Sequence, residues 1–460
     1  MSGKRFDVVV LGAGPAGEVA TGILAEAGLK VALVERELVG GECGYWACIP
    51  SKTLLRPPET KHESSRTAGV STPELDWARV AAYRDWMIRD LDDSGAVSGY
   101  EKQGVTVFKS SGKLAGPGRV EVGGQVIETE HVIVATGSEP LIPPIEGLAE
   151  AGYWTNREAT TLKEIPKSAV FIGGGAVGVE LGQMLARFGS QVTIVQGADR
   201  LLDREDPEVG RLIGRQLEVD GIRLELGRKV TQVRVENGER VVVLDDDSEL
   251  HSEALVVAAG RRPRVAGLGL ESVGIKPELH GIPIDGRCRA AKDVWAVGDA
   301  TGVSLFTHVG KYQARVATAN ILGESAVADY RAVPRVVFSD PEVAAVGLTA
   351  QQAKEQGLVV SEVTLDLKDA IARPFTYEEN PRGWFGLLVD RERDLLVGAW
   401  AVAPLAGEWI HHAVLAIRAE IPVAVLKDTI AQFPTFSEAY VSALRKLPKN
   451  PDTTTERSER

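Results

Sequence analysis

Residues 6–17 read FDVVVLGAGPAG. A short, valine-rich apolar run of this kind fits a parallel strand buried on both faces, and the glycines after it open a helix. Gly12, Gly14 and Gly17 satisfy G-x-G-x-x-G between that strand and helix. The first glycine permits the tight turn, the second lets backbone approach a pyrophosphate at the helix N-terminus, and the third allows close helix packing. Glu35 closes the next strand, VALVE, and can accept from a ribose hydroxyl. A glycine-rich turn alone would account for the glycines but not for this acid. The stretch predicts a dinucleotide-binding unit.

The same design returns downstream. AVFI (169–172) runs into GGGAVGVE (173–180), then a helical stretch and a second strand, QVTIVQ (191–196). Gly173, Gly175 and Gly178 repeat the fingerprint, but Gln196 stands where an NAD site usually offers Asp or Glu. Without a carboxylate nothing repels a 2′-phosphate. Arg200 is close enough in sequence to pair with that phosphate, or is a solvated surface charge. The reading leans towards NADPH and leaves NADH open.

Working outward, residues 75–105 read as helical and 118–136 as short strands ending in HVIVATGS. VWAVGDA (294–300) gives a third glycine-bearing strand end, and residues 334–450 read as a βαβ-like region. At 460 residues with 44% hydrophobic and 25% charged side chains, the chain calls for several domains. The net charge of -12 excludes nucleic acid or an anionic membrane as the main partner. No apolar run approaches the ~20 residues that span a bilayer, and MSGKRFDVVVLGAG carries no secretory signal, so a cytoplasmic protein is expected. The last ten residues, PDTTTERSER, are polar and expected to be disordered.

Only three cysteines occur, too few for a stabilising disulfide framework. Two lie together in GGECGYWACIPSK (40–52), just behind the first nucleotide unit. A close pair of this kind is catalytic or metal-binding in a reducing compartment, and the sequence offers no further Cys or His nearby to complete a metal site. This segment resembles the flavoprotein disulfide reductases, the family of lipoamide dehydrogenase, glutathione reductase, mercuric reductase and related quinone reductases. Its signature runs G-G-x-C-x-x-x-x-C-I-P-S-K. The likeness extends through GAGPAG, ATGS (135–138), GGGAVGVE, AAGRRPR (258–264), AVGDA (296–300), PEVAAVGLT (341–349) and FPTFSEA (433–439).

The resemblance implies bound FAD and NAD(P)H, a homodimer, and a role for each matching residue. Cys43 is similar to the interchange thiol facing the acceptor, and Cys48 to the thiol closest to the flavin. Lys52 and Glu180 match an ion pair beside the flavin ring, and Asp299 the aspartate holding the ribityl chain; Thr136, Gly137 and Gly260 match further cofactor contacts. Cys288 in GRCRA is read as incidental. The implied fold is α/β, with two Rossmann-like nucleotide-binding domains and a C-terminal α+β dimerisation domain. The expected division is 1–147 and 277–332 (FAD), 148–276 (NAD(P)), 333–450 (interface) and 451–460 (tail).

The pattern breaks at one place. Disulfide-reducing relatives carry H-x-H-P-T-x-S-E near the C-terminus, where the second histidine is the acid-base and the glutamate orients it. Here the stretch is AQFPTFSE, so Phe433 takes the base position while Glu438 remains. A positioned histidine contributes ~10²- to 10⁴-fold to thiol proton transfer, and phenylalanine carries no proton. His411 and His412 lie too far upstream to match it. The favoured acceptor is therefore a quinone or other electrophile. A disulfide reductase or dihydrolipoamide dehydrogenase, a metal-ion reductase, and a redox-sensing flavoprotein stand as alternatives. The TERSER ending, without the further cysteine pair of mercuric reductases, speaks against the second of these.

Overall fold

The structure is a computed structural model that describes residues 5–447; the tail expected to be disordered lies outside the described residues. The described residues form two compact units, 5–54 with Trp77–Glu164 and Leu255–Asp329, and Leu55–Asp76 with Ile165–Ala254 and 330–447. No helix among the described residues is long and apolar enough to cross a membrane.

The first unit is organised by strand Arg5–Leu11, whose valines are fully buried. It pairs in parallel with Val31–Val34 on one side and with Gln125–Val134 on the other, Val8 lying opposite Val31 and His131. The sheet continues to Thr106–Phe108 at one edge and to Val294–Ala296 and Arg289–Ala291 at the other. Helix Pro15–Glu26 makes the crossover from the first strand to the second and buries Ala16, Ala20 and Leu24 on the sheet. Residues 75–105 are two helices, Trp77–Met87 and Ser94–Lys102. Arg89, Asp90 and Leu91 between them have φ of 53, 50 and 61°, a left-handed run no α-helix can continue through.

In the second unit, Ser168–Ile172, Gln191–Gln196 and Arg223–Leu226 form a parallel sheet with helix Ala176–Arg187 as the first crossover. An antiparallel meander, Val230–Glu236, Glu239–Leu244 and Glu249–Ser252, follows. The C-terminal region corrects the βαβ-like reading of residues 334–450. Its five strands, Pro334–Val337, Glu342–Gly347, Leu395–Ala403, Trp384–Asp390 and Val360–Asp366 in spatial order, are antiparallel at every pairing. The links 338–341 and 391–394 are too short for a parallel crossover. Helices lie on this sheet around a core of Phe385, Trp409, Phe436 and Tyr440, with Phe385 and Tyr440 4.7 Å apart at their ring centroids.

Candidate functional site

The two glycine fingerprints are built alike, atom for atom. In the first unit, Gly12 N donates to Val34 O at 2.8 Å and Ala13 N to Glu35 Oε2 at 2.8 Å, across 22 residues. In the second, Gly173 N donates to Val195 O at 2.8 Å and Gly174 N to Gln196 Oε1 at 2.9 Å, again across 22 residues. Gly12 (φ 103°) and Gly173 (φ 114°) occupy backbone that side chains avoid. At Gly17 a Cβ would stand 1.9 Å from Gly12 O, so the helix could not approach its turn with any other residue. Gly178 is buried within its helix.

Gly14 and Gly175 are the N-caps of twelve-residue helices, and neither end has a side-chain cap. A Cβ at either position would meet nothing within 4 Å. Each end therefore offers uncapped N–H groups to open space, as a pyrophosphate requires. These residues fit FAD in the first unit and NAD(P)H in the second. Glu35 accepts in addition from Glu37 N at 2.7 Å, which fixes its carboxylate with acceptor capacity to spare. Gln196 Oε1 accepts from Gly174 N as Glu35 does from Ala13 N, but its second terminal atom is an amide nitrogen, a donor, where Glu35 has a carboxylate oxygen. Arg200 donates to Asp199 Oδ1 at 3.1 Å and to Asp203 O at 2.9 Å.

Cys43 and Cys48 both belong to the first unit and lie on successive helices. Cys43 is inside helix Gly41–Tyr45, and Cys48 begins helix Cys48–Arg66. All three cysteines of the chain are thiols in the structure, and Cys288 is buried in the core beneath the sheet. Thr307, the first residue of helix Thr307–Ile321, donates its hydroxyl to Cys43 Sγ at 3.2 Å and stands 3.5 Å from Cys48 Sγ. The hydrogen bond with Cys48 and burial push the Cys43 thiol up, against the opposing pull of Thr307 and the Lys311 charge. Such a thiol keeps its proton while Cys48 ionises first, because a thiolate beside it opposes a second negative charge.

Asp299 lies at the end of strand Val294–Ala296 in a short 3₁₀ turn. Burial raises its pKa, opposed by the Ser138 hydroxyl, which donates to Oδ2 at 2.6 Å, and by Arg261. Arg261 Nε donates to the same Ser138 oxygen at 2.8 Å. Thr136 Oγ1 donates to Arg264 O at 2.7 Å, and Gly137 and Gly260 have φ of 72 and 121° with open space beyond their Cα atoms. Asp299, Thr136, Gly137 and Gly260 thus belong to one region of the first unit, where two short strands, Ser138–Pro140 and Arg261–Pro263, pair.

Lys52 sits in the first unit, one turn beyond Cys48 on the same helix. Glu180 is in the second, buried on helix Ala176–Arg187, where Oε1 accepts from Phe338 N at 2.9 Å. Gln183, one turn on, exchanges two hydrogen bonds with the backbone of Asp340 at 2.8 and 3.0 Å. The Phe338–Asp340 segment is thereby stitched to the helix that opens with the second fingerprint. Phe433 is 75% exposed, and Glu438 Oε2 accepts from Thr435 N at 3.1 Å at the start of helix Glu438–Lys446. His412 packs on Tyr440 with its Nδ1 3.2 Å from Trp409 O.

Sequence reasoning missed Thr307, and with it Asn156, Arg157 and Arg261, which gather around the Cys43 segment and Asp299. None lies in a glycine or cysteine motif. Arg261 falls inside AAGRRPR, the one available signal, but nothing in that string says which arginine turns inward.

Comparison with known proteins agrees with this geometry. Residues 6–320 match the model of the pyridine nucleotide-disulphide oxidoreductases, and 333–444 the dimerisation domain of the same family. The chain is 36% identical to a dihydrolipoyl dehydrogenase of Thermus scotoductus over 97% of its length and 98% of that protein. It is 33% identical to a mercuric reductase of Staphylococcus aureus, covering 94% and 81% respectively. Among solved structures, the HOCl-induced flavoprotein disulfide reductase RclA of Escherichia coli in its Cu(II) complex superposes with a TM-score of 0.85 at 29% identity, over 96% of this chain and 99% of that one. Two nucleotide cradles, a thiol pair and a separate antiparallel C-terminal sheet are thus accounted for together: the chain belongs to the pyridine nucleotide-disulphide oxidoreductases, class I flavoenzymes that use FAD and NAD(P)H.

Proposed function

We propose that this enzyme is a homodimeric, cytoplasmic NAD(P)H oxidoreductase, with a preference for NADPH, whose acceptor is a quinone or another small electrophile. The division into 1–147 with 277–332, 148–276 and 333–450 is part of the same reading. The observation that carries it is Phe433, exposed in the position where disulfide-reducing relatives hold their base, with Glu438 occupied by Thr435 N. Reduction of a quinone by NADPH and one proton gives NADP⁺ and a hydroquinone, and needs no proton relay at a dithiol.

When bound, FAD supplies a ring that takes up a hydride equivalent and gives up two electrons. Gly12, Gly14, Gly17 and Glu35 hold its adenylate and pyrophosphate, and Asp299, Thr136, Gly137 and Gly260 its remaining chain. Gly173, Gly175, Gly178 and Gln196 hold the nicotinamide nucleotide. Lys52 would favour negative charge as it develops on a bound flavin ring, and Glu180 is carried by the helix that opens with the second fingerprint. Cys48 would stand nearest the flavin and Cys43 would face the acceptor, while Thr307 contacts both sulfurs. The Thermus scotoductus relative supports a second reading, dihydrolipoamide oxidation, in which Cys43 and Cys48 are indispensable.

The test is anaerobic NADPH oxidation with menadione and, separately, with lipoamide, in the wild type and Cys48→Ser. Rapid menadione turnover that survives the substitution, with little lipoamide activity, is expected. Brisk lipoamide turnover abolished by Cys48→Ser would replace this reading with the second.

A further inference from the structure

Cys43 and Cys48 are five positions apart, so in one continuous helix their side chains would point ~140° away from each other, at 3.6 residues per turn. They meet at Thr307 because the helix is broken between them. Trp46 ends the first helix with φ -134° and ψ -1°, and Cys48 begins the next. The break leaves the Trp46 carbonyl outside any helix. It accepts instead from Asn156 Nδ2 at 2.7 Å and from Thr160 Oγ1 at 3.2 Å.

The helix that supplies these donors, Asn156–Thr161, grips the same turn at two more points. Arg157 Nε donates to Glu42 Oε1 at 2.8 Å, and its guanidinium lies 4.0 Å from the centroid of the Trp46 ring. Its other arm reaches Glu37 Oε2 at 2.7 Å. Asn156 is itself oriented, its Oδ1 accepting from Arg261 NH1 at 3.2 Å. The residues flanking Cys43 are therefore held by side chain, ring and carbonyl, all from one short helix that begins with a Thr155–Glu158 capping box.

We propose that Arg157, together with Asn156, is a positioning residue that keeps the Glu42–Trp46 turn broken and so favours closure of the Cys43–Cys48 disulfide. This rests on the reading of the two cysteines as a redox pair. With the grip removed, residues 41–48 relax towards continuous helix, the sulfurs separate, and the disulfide loses stability relative to the dithiol.

The experiment equilibrates the FAD-loaded enzyme anaerobically in buffers of reduced and oxidised dithiothreitol, then alkylates and counts blocked Cys43 and Cys48 by mass spectrometry. Buried Cys288 serves as the internal control. Reduction breaks the Cys43–Cys48 bond and forms the cyclic disulfide of dithiothreitol, two electrons and two protons passing to the protein sulfurs. Arg157→Met is expected to lower the equilibrium constant for closure about tenfold and Asn156→Leu several-fold, with Arg157→Lys between Arg157→Met and wild type. Closure constants of Arg157→Met and Asn156→Leu within twofold of wild type, or higher, would overturn the proposal while leaving the redox pair intact. A wild-type pair that does not cycle in any buffer would overturn both.

Discussion

Thr307 donates its hydroxyl to Cys43 Sγ at 3.2 Å, and the same oxygen stands 3.5 Å from Cys48 Sγ. One side chain at the start of a helix thus serves both thiols, where the helix N-terminus also favours negative charge.

Thr307→Val keeps the shape and removes the donor. The Cys43 thiol, already raised by its bond with Cys48 and by burial, loses an interaction that opposes the rise. A hydrogen bond to a charged group contributes about 1.5 kcal/mol or more, so alkylation of reduced Cys43 by iodoacetamide at pH 8 should slow about tenfold. An unchanged rate would mean that the hydroxyl does not stabilise the thiolate.

Gln196→Glu converts the second fingerprint into the form of the first, where Glu35 takes the same backbone N–H. A carboxylate there repels a 2′-phosphate and accepts from a ribose hydroxyl. The ratio of kcat/KM for NADPH over NADH should fall about 30-fold, equivalent to about 2 kcal/mol. A constant ratio would remove Gln196 from nucleotide selection.

Glu342 accepts from Gly407 N at 2.8 Å. Burial, reinforced by the nearby acids Glu59, Glu408 and Asp340, lifts its pKa from 4.5 to about 7. The folded protein keeps this proton where the unfolded chain has released it, so stability falls as pH rises from 4.5 through about 7 and is level above that. Glu342→Gln retains the oxygen that Gly407 needs and removes the titration. It should gain up to about 3 kcal/mol at pH 8 and nothing at pH 4. Thermal unfolding of both proteins at the two pH values checks this, and parallel pH curves would contradict it.

Asp340 is buried among three guanidiniums, Arg66 at 3.1 Å, Arg187 at 3.0 Å and Arg382 at 3.0 Å. Burial alone would raise its pKa, but the three cations hold it well below the ordinary 3.8. Its stabilising effect is present above pH 3.8 and is lost as pH falls towards the folded value. Asp340→Asn leaves buried positive charge uncompensated and should cost about 3–5 kcal/mol at pH 7, read from urea unfolding. A loss under 1 kcal/mol would show that Glu378 and Asp220 suffice to balance the three arginines.

The sequence by itself determined the two nucleotide units, because their physics is local. A buried parallel strand must be a short apolar run, and only glycine fits Gly12, Gly17 and Gly173, so the pattern is written in consecutive residues. It placed Cys43 and Cys48 together, and Phe433 ahead of Pro434, for the same reason, since both are short consecutive strings. It misread residues 334–450, since a strand, helix and strand in succession do not reveal which neighbour each strand will choose; hydrogen bonding between Val360–Asp366 and Trp384–Asp390 made that sheet antiparallel. Only the tertiary structure decided what surrounds the cysteines. Thr307 is 264 residues from Cys43, and Arg157 is 115 from Glu42. A hydroxyl or a guanidinium is unremarkable in its own segment and acquires its role from the sulfur or carboxylate the fold brings against it.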